Sequence, residues 1–239
     1  MKDPVISITV ARLAIAFIPV LVVVVLLFRW SIDGKTAVYA IGRMLIQLVL
    51  IGHVLAFFFA YASAWLVMIV LAAMLSTASW IALYPVRQKR REVYRKSLIA
   101  VSLGGIPVLF IVTQAVLDLE VWYEPRYVIP LAGMIFASSM NGVSIAAERF
   151  EAEAQRGLPY NDARNASLHA AMIPLINTLF AVGLVSLPGM MTGQILSGIE
   201  PLVAVRYQIM VMCMVFAASG ISVGSYLTLI RPKAKNENE

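Results

Sequence analysis
Few side chains in this sequence could carry chemistry, and most of them lie in or beside apolar runs. Residues 186–201 read Ser-Leu-Pro-Gly-Met-Met-Thr-Gly-Gln-Ile-Leu-Ser-Gly-Ile-Glu-Pro between two such runs. Gly189, Gly193 and Ser197 recur at i, i+4 and i+8, one side of a helix, and small residues at that spacing let another helix backbone come close. Pro188 and Pro201 bound the stretch, with Met190, Met191, Gln194 and Gly198 inside it and Arg206 just beyond. The expectation is a short helix dipping back toward a membrane, packed on the last spanning helix or on a second copy, and acting as an outer gate. Arg43 and Gln47 are four apart and share a face that must point into protein or a watery cavity, because both are costly against lipid. Snorkelling to the interface is the structural alternative for Arg43. Asn141 and Asn177, with Ser138, are candidates to line a path, since amides are expensive in hydrocarbon. Gly133, Ser139, Pro174, Thr178 and Gly183 accompany them and equally suit helix packing.

Metal ligands are harder to find. Thioethers suit soft ions, but Met210, Met212 and Met214 alternate along one run and cannot share a helical face, so packing is the expected role. His53 is alone among apolar residues and reads as a packing residue. The metal ligands therefore stay unassigned. Cys213 is the single cysteine, so no disulfide or CxxC pair forms within one chain. Asp118, Glu120, Glu124 and Glu200 fall in loops and read as solvated charges, and no carboxylate lies within a span to relay protons. No catalytic set is visible: His53 and His169 belong to opposite sides of the membrane, which argues against an embedded enzyme.

The elements that must position these residues follow from composition. The 239 residues are 61% hydrophobic and 13% charged, about half the charged fraction of a soluble domain. Several runs are long enough to cross a bilayer as helices, and no alternation of the β-barrel kind is present. The chain reads as an all-α polytopic membrane protein, a single permease domain over 1–239. Seven spans are expected, at about 6–28, 37–59, 62–83, 98–117, 127–147, 170–187 and 203–230. The first run is too long for a cleaved signal peptide.

Cations set the orientation. Arg29 and Lys35, then Arg87, Lys89, Arg90, Arg91, Arg95 and Lys96, then Arg149, Arg156 and Arg164, then Arg231, Lys233 and Lys235 fall on one side. The other side holds Lys2 and Arg126, with Arg206 near its edge. The N-terminus is expected outside and the C-terminus in the cytoplasm. The net charge of +6 is thereby a matter of topology and lipid headgroups rather than of nucleic acid.

The cytoplasmic segment of about 148–168 favours helix at first, and Gly157 and Pro159 end it. A short helix outside the membrane is a natural docking element, and a solvated connector is the alternative. Glu151, Ala152 and Gly157 hold the spacing of the Glu-Ala-Ala…Gly motif of ABC importer permeases, although the later apolar part of that motif does not align.

Three blocks, IGRMLIQLVLIGHV at 41–54, VIPLAGMIFASSM at 128–140 and the long run from Ala171 to Val211, closely resemble the FetB-like iron-export ABC permeases. That family also contains plant membrane proteins linked to aluminium tolerance. Ser138 stands where many relatives carry Asn, and the Asp and Lys that some have near Asn177 and Phe180 are missing. The resemblance implies the membrane subunit of an ABC exporter of iron or another metal, in a bacterial inner membrane. It implies a homodimer working with a separate ATP-binding subunit. ATP and Mg would belong to that subunit, and this chain would hold no cofactor. Glu151, Ala152 and Gly157 would couple to the ATPase. A nucleotide-sugar ABC permease and an ATPase-independent secondary transporter are the competing functions.

Overall fold
A computed structural model describes residues 8–30, 34–60 and 63–231. Lys2, residues 232–239 and the His53 side chain, which the sequence singles out, lie outside the described residues. The chain divides into two compact units, Met1–Tyr61 with Leu196–Gly198, and Ala62–Ile195 with Ile199–Glu239.

In the first unit, α1 (Val10–Ile15) and α2 (Phe17–Arg29) are separated by a turn at Ala16. The sequence predicts one unbroken span there. Pro19 explains the break: it offers no N–H to the Ile15 carbonyl and its ring crowds that group. Helix α3 (Gly34–Ala60) follows. A Cβ at Gly34 would lie 2.9 Å from the Phe28 ring, so only glycine lets α3 start against the end of α2.

The second unit is a helix bundle. It comprises α4 (Ala64–Ile81), α5 (Arg90–Phe110), α6 (Pro125–Gln155), α7 (Tyr160–Ala181), α8 (Gly189–Leu196) as far as Ile195, and α9 (Pro201–Leu229). Helix α5 contains Pro107 and continues as a π-helix over Ile111–Val116, where the Leu117 N–H reaches back five residues to the Val112 carbonyl at 3.0 Å. Helices α5, α6 and α9 pack together at the centre, with α4 on α5 and α6, and α7 on α6 and α9.

The interior of this bundle is built on small residues. A Cβ on Gly104 of α5 would fall 2.2 Å from Ser222 Oγ and 2.4 Å from the Ala218 carbonyl oxygen of α9. One on Gly142 of α6 would fall 2.4 Å from Ser219 Oγ. Backbones therefore approach closely, which serves helices that gain little from apolar burial in lipid. Buried serines bind across the seams: Ser97 Oγ donates to the Ser79 carbonyl at 3.0 Å, and Ser219 Oγ to the Ser138 carbonyl at 3.3 Å.

These pairings also give direction. Early residues of α6 meet early residues of α9, and Phe150 and Glu151 share a cavity wall with Tyr226. The two helices are parallel, so the chain between them must return the full length of the bundle. Helix α7 makes most of that return. Its first ten residues are mostly polar, and its continuous apolar part begins at Ala170.

Six stretches among the described residues are long and apolar enough to cross a bilayer: Val10–Arg29, Gly34–Gly52, Ala64–Ile81, Arg90–Val116, Pro125–Gln155 and Pro201–Leu229. Helix α7 is the seventh long rod. It stops at Ala181, six residues before the expected end, because Val182 turns extended and Gly183 takes φ +81°. Hydropathy continues through Leu184 and Val185, but the helix does not. The chain is an integral membrane protein of the all-α class.

Candidate functional site
At one end of the bundle, α6 outruns the membrane. Its 31 residues make a rod of about 46 Å, against a hydrocarbon core of about 30 Å. Apolar residues run to Ala147, and Glu148, Arg149, Glu151 and Glu153 follow beyond them. The separate short helix expected in the segment of about 148–168 is thus the protruding end of α6. The helix ends at Gly157, with φ +82°. There the Leu158 N–H bonds the Glu153 carbonyl at 3.2 Å and the Gly157 N–H bonds the Ala154 carbonyl at 3.0 Å, a Schellman closure. Helix α7 starts after Pro159, and the two form a hairpin.

Side-chain pairs stiffen this hairpin. Lys89 Nζ, from the α4–α5 turn, bonds Glu151 Oε1 at 2.7 Å and Oε2 at 3.0 Å. That hydrogen bond is the main cause holding the Glu151 carboxyl below its ordinary value, against a smaller upward push from partial burial. Glu153, 4% exposed, is paired with Arg149 at 2.5 Å and Arg156 at 3.4 Å. Tyr160 donates its hydroxyl proton to the Leu227 carbonyl at 2.8 Å and meets Phe150 edge-on. Arg90 Nε donates to the Trp80 carbonyl at 2.9 Å while its guanidinium covers the Trp80 ring at 3.9 Å. Part of the basic Arg87–Lys96 run, read from sequence as a headgroup anchor, therefore serves internal contacts. The basic clusters of the α4–α5 turn, the α6–α7 turn and Arg231 meet at this one end, with the Arg231 guanidinium 5.6 Å from the Tyr160 ring centre.

At the opposite end, α8 begins directly after Pro188 and closes at Gly198, φ +88°, with the Ile199 N–H on the Gln194 carbonyl at 3.0 Å. The short helix expected between two prolines is present. The face that meets α6 and α9 differs from expectation. Met190 and Gln194 line a cavity of about 360 Å³ with Arg126, Tyr127 and Met134 of α6 and Tyr207 and Met210 of α9. By contrast, a Cβ on Gly189 or Gly193 would meet nothing within 4 Å. Met191 and Arg206 are not among the cavity's lining residues.

The remaining candidates do not converge. Arg43 and Gln47 share a helical face as expected, and the Gln47 carbonyl oxygen, oriented by its hydrogen bonds, accepts from Arg43 Nε at 3.1 Å. Ser138 Oγ donates to the Val215 carbonyl at 3.4 Å inside the α6–α9 seam. Asn141 on α6 and Asn177 on α7 are exposed. Cys213 is also exposed. Among the described residues, no three His, Cys, Asp or Glu side chains are grouped as a metal site would need.

Sequence reasoning missed Lys89 as the partner of Glu151, and Tyr160 and Glu153 as anchors of the hairpin. No local pattern marks a partner 62 residues away. The cavity beside α8 did leave a signal. Helices α6 and α9 both begin after Glu with Pro, and Met134 and Met210 each stand nine positions beyond that proline.

No solved structure matches the chain. Residues 10–234 match the family described as "Uncharacterised protein family (UPF0014)". The UPF0014 membrane protein of a Synechocystis strain is 33% identical over 216 residues, 82% of each chain. The probable iron export permease protein FetB of Escherichia coli is 34% identical over 93% of this chain and 91% of its own length. The protein ALUMINUM SENSITIVE 3 of Arabidopsis thaliana is 30% identical over 87% of this chain and 81% of its own. With residues 10–234 matched by the family and these relatives covering 82% and 93% of it, the chain belongs to the UPF0014 family of membrane proteins.

Proposed function
We propose that the chain is the membrane subunit of an ABC exporter for iron or another metal, working as a homodimer with a separate ATP-binding subunit in a bacterial inner membrane. The observation that carries the reading is the α6–α7 hairpin. A rigid helical end stands beyond the apolar span and presents Glu151, Ala152 and the Gly157 turn at the basic end of the bundle. The name of the Escherichia coli relative, probable iron export permease, supports the cargo class. The exposed amides of Asn141 and Asn177 support a second copy, because such groups in a membrane need protein or water against them. In this reading ATP-driven closure of the partner pushes the hairpin. Helix α6 runs without interruption from Gln155 to Pro125 and carries the push to the outer cavity, switching access. The basic end faces the cytoplasm, with the N-terminus outside.

Copurification of the full-length protein with an ABC ATPase from the same organism tests the reading, followed by ATPase stimulation by iron salts in liposomes. A stable complex with metal-stimulated hydrolysis is expected. Metal transport that needs no ATPase would establish a secondary transporter instead. Orientation is checked with Leu158→Cys and Val185→Cys in a Cys213→Ala background. An impermeant reagent applied to intact cells should label position 185 and not position 158, and the reverse pattern overturns the orientation.

A further inference from the structure
We infer that the outer cavity is a binding site for a soft monovalent cation of the Cu(I) or Ag(I) class, held by the thioethers of Met134, Met190 and Met210. Three separate helices, α6, α8 and α9, each bring one methionine to the wall of a single cavity of about 360 Å³. Two of the three sit level: Met134 and Met210 are each nine residues along parallel helices from the first proline, about 14 Å. Methionines that only fill space have no need to meet around a void. Met191 and Met212, their neighbours in sequence, are not among the lining residues.

The rest of the lining favours the same class. Gln194 shares the wall, and its Oε1 is buried without a hydrogen-bond partner among the described residues. A carbonyl oxygen is a known weak addition to soft-metal ligand sets. Among the described residues, no carboxylate or imidazole lines the cavity, so its wall offers a hard trivalent ion no anionic oxygen. Neutral thioethers have no proton to lose, so binding should not weaken between about pH 5.5 and 7.5, where an imidazole site would. The site is inferred from its own side chains and does not depend on the export function proposed above.

The test uses full-length protein with Cys213→Ala, in nanodiscs, titrated with Ag(I). One Ag(I) per chain is expected, with a sulfur shell of three in X-ray absorption. Met134→Leu and Met210→Leu should each weaken binding at least tenfold, and Met191→Leu and Met212→Leu should leave it unchanged. Leucine keeps the apolar volume, and thermal melting of each variant confirms folding. Failure to bind Ag(I) stoichiometrically overturns the site. So does undiminished binding in the triple leucine variant, loss of binding at mild acid, or displacement of Ag(I) by equimolar Fe(II). None of these outcomes depends on an ATPase, so the site can fail while the export reading stands.

Discussion

The two ends of the bundle are built on opposite terms. At the basic end, the cations and carboxylates find partners within the chain: Lys89 with Glu151, Glu153 with Arg149 and Arg156, Arg90 with the Trp80 carbonyl and ring. At the outer end, Gln114 Nε2, Gln194 Oε1 and Gln208 Oε1 are buried without partners among the described residues. A buried polar group left unpaired costs roughly 1–3 kcal/mol. The first end is closed by ion pairs, with Arg149 Nε left over among the described residues, and the other keeps the three glutamine amides open. An element that transmits a push should be rigid before its partner arrives, whereas an element that admits and releases a solute should reserve its polar atoms for it. Between the ends, the glycine–serine seams hold α5 and α6 tightly against α9.

The sharpest way to break this comparison is to add bulk in the seam and at the outer helix. Gly104→Leu puts a side chain where Ser222 Oγ and the Ala218 backbone already stand. It should destabilise the bundle by about 3 kcal/mol or more and abolish the folded protein. Gly193→Leu meets open space in the protomer, so its melting temperature should match the wild type. If α8 packs on a second copy, the same variant should lose dimer and export. Size-exclusion and thermal melting separate the two, and a dimeric, export-competent Gly193→Leu would make α8 a passive outer loop.

Next in size is the hairpin turn. Gly157→Pro cannot adopt φ +82°, and the lost Schellman closure should cost about 1–3 kcal/mol locally. Weakened association with the ATPase is expected while membrane insertion is retained. If that variant binds and transports normally, docking lies elsewhere.

The smallest effect is expected at the Lys89–Glu151 pair, since Lys89 is 56% exposed. Lys89→Glu should lower stability by about 0.2–1 kcal/mol, and Lys89→Glu with Glu151→Lys should restore most of it. Because the folded Glu151 carboxyl is held below its ordinary value, the pair's contribution is fully present above the ordinary carboxylate range, about pH 4.3. It is lost as pH falls through the lower folded value. The melting difference between wild type and Glu151→Gln should therefore narrow in acid. A pH-independent difference would assign Glu151 a packing role.

What the sequence determined by itself is what depends on solvent and on near neighbours. Lipid tolerates only helices of a certain length, so 61% hydrophobic content in long runs was enough to specify a polytopic helical membrane protein. The cations of the α4–α5 turn, the α6–α7 turn and Arg231 specified that these three segments share one end, and the parallel packing of α6 and α9 agrees. Gly157 and Pro188 punctuate the chain where their backbone limits require, and Glu151, Ala152 and Gly157 were legible as a protruding unit for the same reason. The family blocks were legible because they are contiguous. Only the tertiary structure decided the pairings across the bundle. Hydropathy carried span six past Ala181, since Leu184 and Val185 are as apolar as the helix before them and only backbone angles distinguish them. Gly189 and Gly193 read as the close-packing stripe, yet Gly104 and Gly142 are the ones pressed against a neighbour. Spacing along one helix reveals a face but not what that face meets. Met134, Met190 and Met210 come from three helices, and which thioethers share a cavity depends on helix register and rotation, which the packing of the whole bundle sets.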